Sequence, residues 1–318
     1  MIYYPITFLP IYKETVWGGD RLAQLFGRTL PSNNIGESWD VSCRPHEMSV
    51  IENGPWAGCS LERYIAANKE YVLGKRLKNC KDFPFLIKLI DANDALSIQV
   101  HPGGEYGKSE VWYVLAPPTG GHLIIGLKPG ITREALAAAY ENGTIEHCLN
   151  HLPVKTGDIV NIPAGLVHAL TPGVVVAEIQ QNSDTTYRIY DYGRPGLDGK
   201  PRPLHVQDAL AVSDFEGNAA VPFTGESIKI GENELTHYNC NEYFAVTKYD
   251  LAEPLTEKSN LMAFSIFTCV GGHAVIKTDS MAVEIPLGRS VFIPARMGGY
   301  SITPKGEHAI LLKSTPIE

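Results

Sequence analysis

The residues able to do chemistry are densest between Leu96 and Val114, LSIQVHPGGEYGKSEVWYV. Ser97, Gln99 and His101 alternate there with Ile98, Val100 and Pro102. A strand turns alternate side chains to opposite faces, so Gln99 and His101 face the same way. Nine residues after His101, Glu110 opens EVWYVL, a β-branched and aromatic run that reads as a further strand. The intervening PGGEYGKS holds one Pro and three Gly and reads as a turn or loop. A hairpin-like return would bring Glu110 beside the Gln/His pair. Nitrogen or oxygen donors and a carboxylate on one concave face make most of a metal site. His168, in PAGLVHAL just after a Pro-Ala-Gly turn, is the candidate for the remaining ligand. By spacing alone Gln99 remains either a ligand or a spectator.

The elements around this stretch are mostly short strands. Residues 1–58 mix apolar runs with turn signals at WGGD and GESWDVS. Ser60 is an N-cap candidate for a helix ending near Leu73-Gly74. Pro84–Asp91 reads as a buried strand carrying one lysine, Lys88, and an unpaired ammonium would be costly to bury there. Lys88 should therefore face a polar cavity with a phosphate as partner, and Ser97, on the same strand face as Gln99, could donate to that phosphate. Lys108, two residues before Glu110 on the loop rim, could serve the phosphate or a proton transfer. Strand His122–Leu127 precedes a helix that begins at Thr132, and a second short helix covers Ile145–Leu149.

The clearest β pattern is VKTGDIVNIPAGLVHALTPGVVVAEIQQ, with TTYRIYD beyond it and RPGLDGKPRPLH as loop. Glu178 is a carboxylate in an otherwise apolar strand. Burial raises such a group's pKa and suits it to act as a base near neutral pH, although it could equally be a structural partner for Arg188 or a lysine. Arg188 itself could pair with Asp191 or Asp184. Trp17, beside Gly18-Gly19, is expected to wall a pocket, whereas Trp39 and Trp112 are expected in the core. IPLGRSVFIPARMGGYSI aligns without a gap to VKTGDIVNIPAGLVHALT: Gly157 matches Gly288, and His168 falls opposite Gly299. An internal repeat is implied whose second copy lacks the ligand.

The chain has 318 residues, 44% hydrophobic and 19% charged, with a net charge of −8. That balance, with no Lys/Arg run, argues against nucleic-acid binding. The apolar N-terminus lacks a basic region and a cleavage site and reads as a strand. No apolar run approaches the roughly twenty residues of a membrane span. Six cysteines without a CxxC pair suit reduced thiols in a cytoplasmic protein, and no glycine-rich nucleotide loop occurs.

SIQVHP, GKSEVWYVL, and GDIVNIPAGLVHAL followed by TTYRIYDYGR resemble the type I mannose-6-phosphate isomerases, zinc enzymes of the cupin fold. The resemblance covers most of the chain, which lacks the long helical insertion of the larger members and is similar to the short bacterial form. It implies one zinc ion per chain, held by Gln99, His101, Glu110 and His168. Residue type alone also admits iron or manganese. It implies interconversion of mannose 6-phosphate and fructose 6-phosphate through a cis-enediol, with Arg188 as the family's active-site arginine. Lys108 and Glu178 are the further catalytic candidates, and Lys88, Ser97 and Trp17 the substrate and phosphate contacts.

The expected fold is all-β with a few helices, built as two jelly-roll cupin units. Residues 1–217 would form the catalytic unit, with helical segments at about 60–75 and 131–150. Residues 218–318 would form a connector and a degenerate unit without metal ligands. The expected partner is a small sugar phosphate, with no nucleic acid and no membrane, and the chain is expected as a monomer or homodimer. The competing readings are a non-catalytic sugar-phosphate sensor and a cupin oxidase or dioxygenase.

Overall fold

The computed structural model describes residues 3–104, 107–216, 223–238 and 241–317. Glu105 and Tyr106 of the central loop, Cys240 and the expected junction at 217/218 lie outside them. Among the described residues the strands form sheets of ten, six and five strands and a two-stranded ribbon. The helices are short, the longest being Arg133–Glu141. The fold is the all-β cupin architecture expected from the sequence, with a few helices.

The chain divides into two compact units. One comprises residues 12–38 and 88–223, the other residues 1–11, 39–87 and 224–318. The N-terminal strand Ile6–Leu9 belongs to the second unit because it pairs antiparallel with Ser290–Ile293, Ile6 opposite Phe292. Val50–Ile51 pairs with its other edge. The helical segment near 60–75 belongs there too, and it is two pieces, Leu61–Ala67 and Lys69–Leu73. Ser60 caps the first by accepting from the Arg63 amide at 3.2 Å, and Asn68, whose ψ of 74° is not helical, separates them. Thr132 caps Arg133–Glu141 in the same way, accepting from the Ala135 amide. A 3-10 turn follows at Ile145–Cys148.

In the unit containing residues 88–223, the five-stranded sheet runs in the order Leu149–Pro153, His122–Leu127, His168–Ala169, Ile98–Val100, Tyr187–Tyr190. Both of its faces are buried. Leu123, Ile125 and Leu152 pack with Ile90, Trp112, Val114, Val160, Ile162, Val174 and Val176 of the six-stranded sheet. Ile98, Val100, Ile124, Val167, Ala169 and Ile189 face outward, under Leu136, Ala209 and Leu210 of two helices.

The period of two then decides what faces the interior of the sandwich. With Ile98, Val100, Val167 and Ala169 outward, Gln99 and His168 turn inward. On the opposing sheet Trp112 and Val114 bring Glu110 with them, Val174 and Val176 bring Glu178, and Ile90 brings Lys88. One end of the interior is therefore apolar and the other carries the ionisable groups. The expected hairpin between Gln99 and Glu110 does not form. Ile98–Val100 and Glu110–Ala116 lie in different sheets, so their inward side chains stand face to face instead of side by side.

The repeat frame is present in both units. Ile159–Ile162 and Ser290–Ile293 are strands 131 residues apart. Gly157 and Gly288, with φ of 93° and 78°, make the preceding left-handed turn that favours glycine. Val160 and Ile162 enter one core, Val291 and Ile293 the other. The phase differs after the turn: His168 faces inward in the first copy, whereas in the second Tyr300 enters the core and Gly299 is exposed.

Candidate metal centre and cavity

His101, Glu110 and His168 are buried, and one ligand atom from each lies within 4.8 Å of the others. Both rings are oriented through their other nitrogen. His101 Nδ1 donates to the Thr185 carbonyl at 2.9 Å and His168 Nδ1 to the Leu166 carbonyl at 2.8 Å. That tautomer leaves each Nε2 lone pair directed at the cluster, the usual support for a metal-binding histidine. Burial, and then the charge of Lys108, pushes the His101 pKa down to about 3. Burial likewise lowers that of His168, so both rings are neutral ligands near pH 7.

Burial opposes ionisation of Glu110, yet the ammonium of Lys108 holds its carboxyl well below the usual range. His101 Nε2 is 3.2 Å from Glu110 Oε1, and Lys108 Nζ is 2.5 Å from the same oxygen. The fully buried Oε2 accepts no hydrogen bond. Gln99 reaches the same point with Nε2 3.4 Å from His168 Nε2. A half-turn of its amide presents Oε1 instead. Two neutral imidazoles, an ionised carboxylate with an unpaired oxygen and an adjacent amide fit a divalent cation of borderline hardness, with no thiolate in the set.

A cavity of about 250 Å³ opens beside this cluster, lined by Ser97, Gln99, Lys108, Lys88, Glu178 and Arg188 among others. Trp17 walls it as expected; Trp112 lines it too, while also belonging to the core. Trp39 is buried. Ser97 is buried and donates to Gln99 Oε1 at 3.2 Å. Lys108 is not on a loop rim: it is 5% exposed, drawn inward by Glu110. Lys88, 4% exposed, lies between Glu37 at 3.2 Å and Glu178 at 3.3 Å. These two carboxylates raise its pKa against the opposing effect of burial. The ammonium thus has partners of its own without a phosphate.

Glu178 accepts from Trp112 Nε1 at 2.8 Å. Burial first, then the charge of Glu110, raises its pKa, with Lys88 pulling the other way. Arg188 does not pair with Asp191, whose carboxylate is held by Arg194 and Arg202. Its Nε is buried without a hydrogen-bond partner.

Glu37, Asp184, Thr186 and Arg202 also line the cavity; from the sequence Asp184 is expected only as an alternative partner of Arg188, and the other three are not singled out. Glu37 carried a usable signal, a charge on the same strand face as the apolar Ile35 and Trp39. Arg202 carried none, since it stands in a glycine- and proline-rich loop.

A cupin sandwich with a buried His-Glu-His group at its polar end defines a cupin of the metal-site-bearing class. Comparison with known proteins narrows this. The family described as phosphomannose isomerase type I, catalytic domain, matches residues 7–117, and the mannose-6-phosphate isomerase cupin domain matches residues 233–312. A probable mannose-6-phosphate isomerase, GmuF, of Bacillus subtilis is 34% identical over 94% of this chain and 96% of its own length. A mannose-6-phosphate isomerase of Streptococcus mutans is 39% identical over 63% of this chain and 64% of its own length. The crystal structure of mannose 6-phosphate isomerase from Bacillus subtilis superposes with a TM-score of 0.88 at 30% identity, covering 98% of this chain and 99% of that one. The chain belongs to the type I mannose-6-phosphate isomerase family, and is an enzyme of that family.

Proposed function

We propose that the chain interconverts mannose 6-phosphate and fructose 6-phosphate through a cis-enediol, with one zinc ion held by Gln99, His101, Glu110 and His168. The observation that carries this reading is the shared cavity. Gln99 at the edge of the buried ligand cluster, a carboxylate of raised proton affinity and an arginine with no ion-pair partner among the described residues all line it. When bound, the ion supplies a Lewis acid that offsets charge developing on the substrate oxygens.

The protein's own groups do the rest. Glu178 takes the C2 proton and returns it to C1 on the same face, its raised pKa bringing it toward neutral pH. Lys88, paired to Glu178 and Glu37, favours the ionised carboxylate against burial and holds its orientation. Lys108 passes a proton between the two substrate oxygens. Arg188 directs its guanidinium at the enediolate, where a donor kept clear of other partners stabilises developing charge without reorganisation. Ser97 and Trp17 contact the bound sugar phosphate.

We place the catalytic machinery in the cupin unit with residues 12–38 and 88–223, the C-terminal unit being degenerate. No helix among the described residues is long and apolar enough to cross a membrane. Free Cys43, Cys59, Cys80, Cys148 and Cys269 support a cytoplasmic setting.

The test is turnover of mannose 6-phosphate to fructose 6-phosphate, followed in D2O. Deuterium at C1 of the product shows proton transfer through a base that exchanges with solvent. No deuterium, together with undiminished kcat in Glu178→Gln, would remove Glu178 from its role. No turnover in folded, zinc-loaded protein would favour the sensor.

A further inference from the structure

Arg202 reaches the same cavity as Arg188, Lys88 and Lys108, and it is held there. Its Nε donates to Asp191 Oδ2 at 2.7 Å and its Nη2 to Asp191 Oδ1 at 2.6 Å, the fork that fixes both the direction and the plane of a guanidinium. Asp191 is itself 5% exposed. It also accepts from Arg194 Nε at 3.2 Å and Nη2 at 3.0 Å, and Arg194 reaches Asp94 at 3.3 Å on its other side.

The local backbone supports this arrangement. Tyr192 and Gly193 have φ of 58° and 64°, and the resulting reversal carries Arg194 back onto Asp191. A tyrosine in the left-handed region is uncommon and persists where its surroundings demand it.

The Nε/Nη2 edge of Arg202 is occupied by Asp191. Nη1 has no hydrogen bond among the described residues, so an arginine with five donors keeps a second edge for another anion. Arg188 lines the same cavity, with no carboxylate among the described residues within ion-pair distance. Burial, and next the neighbouring charge of Arg202, lowers its pKa, with Asp191 and Asp184 opposing. Two guanidiniums lining one cavity repel each other, and an anion held by Arg202 relieves that repulsion while leaving Arg188 to the reacting end of the substrate. The lysines are differently placed, Lys88 between Glu37 and Glu178 and Lys108 on Glu110.

We propose that Arg202 binds the phosphate group of the substrate through its open Nη1 edge, and that Asp191 is the positioning residue that aims Arg202. This rests on the mannose 6-phosphate reading above and supplies the phosphate contact that Lys88, already paired, does not.

The experiment measures KM and kcat for mannose 6-phosphate, and the dissociation constant of inorganic phosphate by calorimetry, in the full zinc-loaded chain and in Arg202→Gln. The expected result is a KM about thirtyfold higher, a smaller change in kcat, and phosphate binding weakened by a similar factor. Asp191→Asn should move KM the same way by a smaller factor. Where Arg202→Gln leaves Asp191 underpaired and fails to fold, Asp191→Asn/Arg202→Gln removes both charges and carries the same expectation. Unchanged KM and phosphate affinity in the folded variants, or no phosphate binding by the wild-type chain, overturns the proposal. Absence of isomerase turnover in a wild-type chain whose phosphate binding is weakened by Arg202→Gln overturns the function reading instead and leaves the anion site standing.

Discussion

The two copies of the strand–turn–strand frame share geometry and differ in what their polar groups have left to give. Beside the first, Glu110 keeps Oε2 without a hydrogen bond among the described residues, with two neutral imidazoles close by. Beside the second, on a strand paired to Gly299–Pro316, Glu257 is fully engaged. It accepts from Tyr300 at 2.6 Å, from Lys313 at 2.7 Å and from Tyr249. Burial opposes its ionisation, but Lys313 and the tyrosines hold its pKa below the ordinary glutamate value. One frame presents unfilled ligand capacity, and the other has closed its polar cluster on itself. A cupin frame therefore positions a site without creating one; donor atoms left unpaired toward a common point create it.

Breaking the open cluster should have the largest effect. His168→Ala should lose metal and activity together, with turnover down at least about a thousandfold, as metal analysis and a coupled assay would show. Arg188→Ala sharpens the contrast within the cavity. It should retain the metal and the fold while kcat falls about a hundredfold.

Breaking the closed cluster should instead cost stability. Glu257→Gln strips the charge opposite Lys313, and because both side chains are partly exposed the loss should be about 2 kcal/mol, short of a fully buried pair. Turnover per folded molecule should be retained, with denaturant melts and activity measured on the same samples. The depressed pKa of Glu257 gives this contribution a sign: it is present above the ordinary glutamate pKa and is lost as pH falls through the lower folded value. The variant's acid-unfolding curve should lack that limb.

The smallest effect is expected from Gly299→His, which restores a histidine at the aligned position. The site is exposed, and an added Cβ there comes only within 4.0 Å of the Glu257 carbonyl oxygen. Stability should change by less than about 0.5 kcal/mol, and metal analysis should find no additional ion. Uptake of a second ion would show that sequence alignment, not strand phase, decides the site.

Much of the site was legible because it follows from period-two alternation. Ile98 and Val100 commit Gln99 and His101 to the opposite face, and the turn before His168 commits that residue in the same way. What alternation cannot carry is partnership across distance in sequence. The pairing of Lys88 with Glu37 and Glu178 depends on which strands are neighbours, so a lysine expected to await a phosphate already holds two carboxylates. Arg202 was silent because its place is set by Asp191, not by any pattern of its own. The N-terminal strand was read as a strand, but its pairing with Ser290–Ile293 closes a contact across nearly the whole chain, which no local signal encodes.

The most direct test of the account is to titrate metal-stripped, folded protein with zinc while following conversion of mannose 6-phosphate. The account predicts no turnover at zero zinc and a linear rise that ends at one equivalent per chain. Full turnover in the stripped protein, or none at one equivalent, would contradict it.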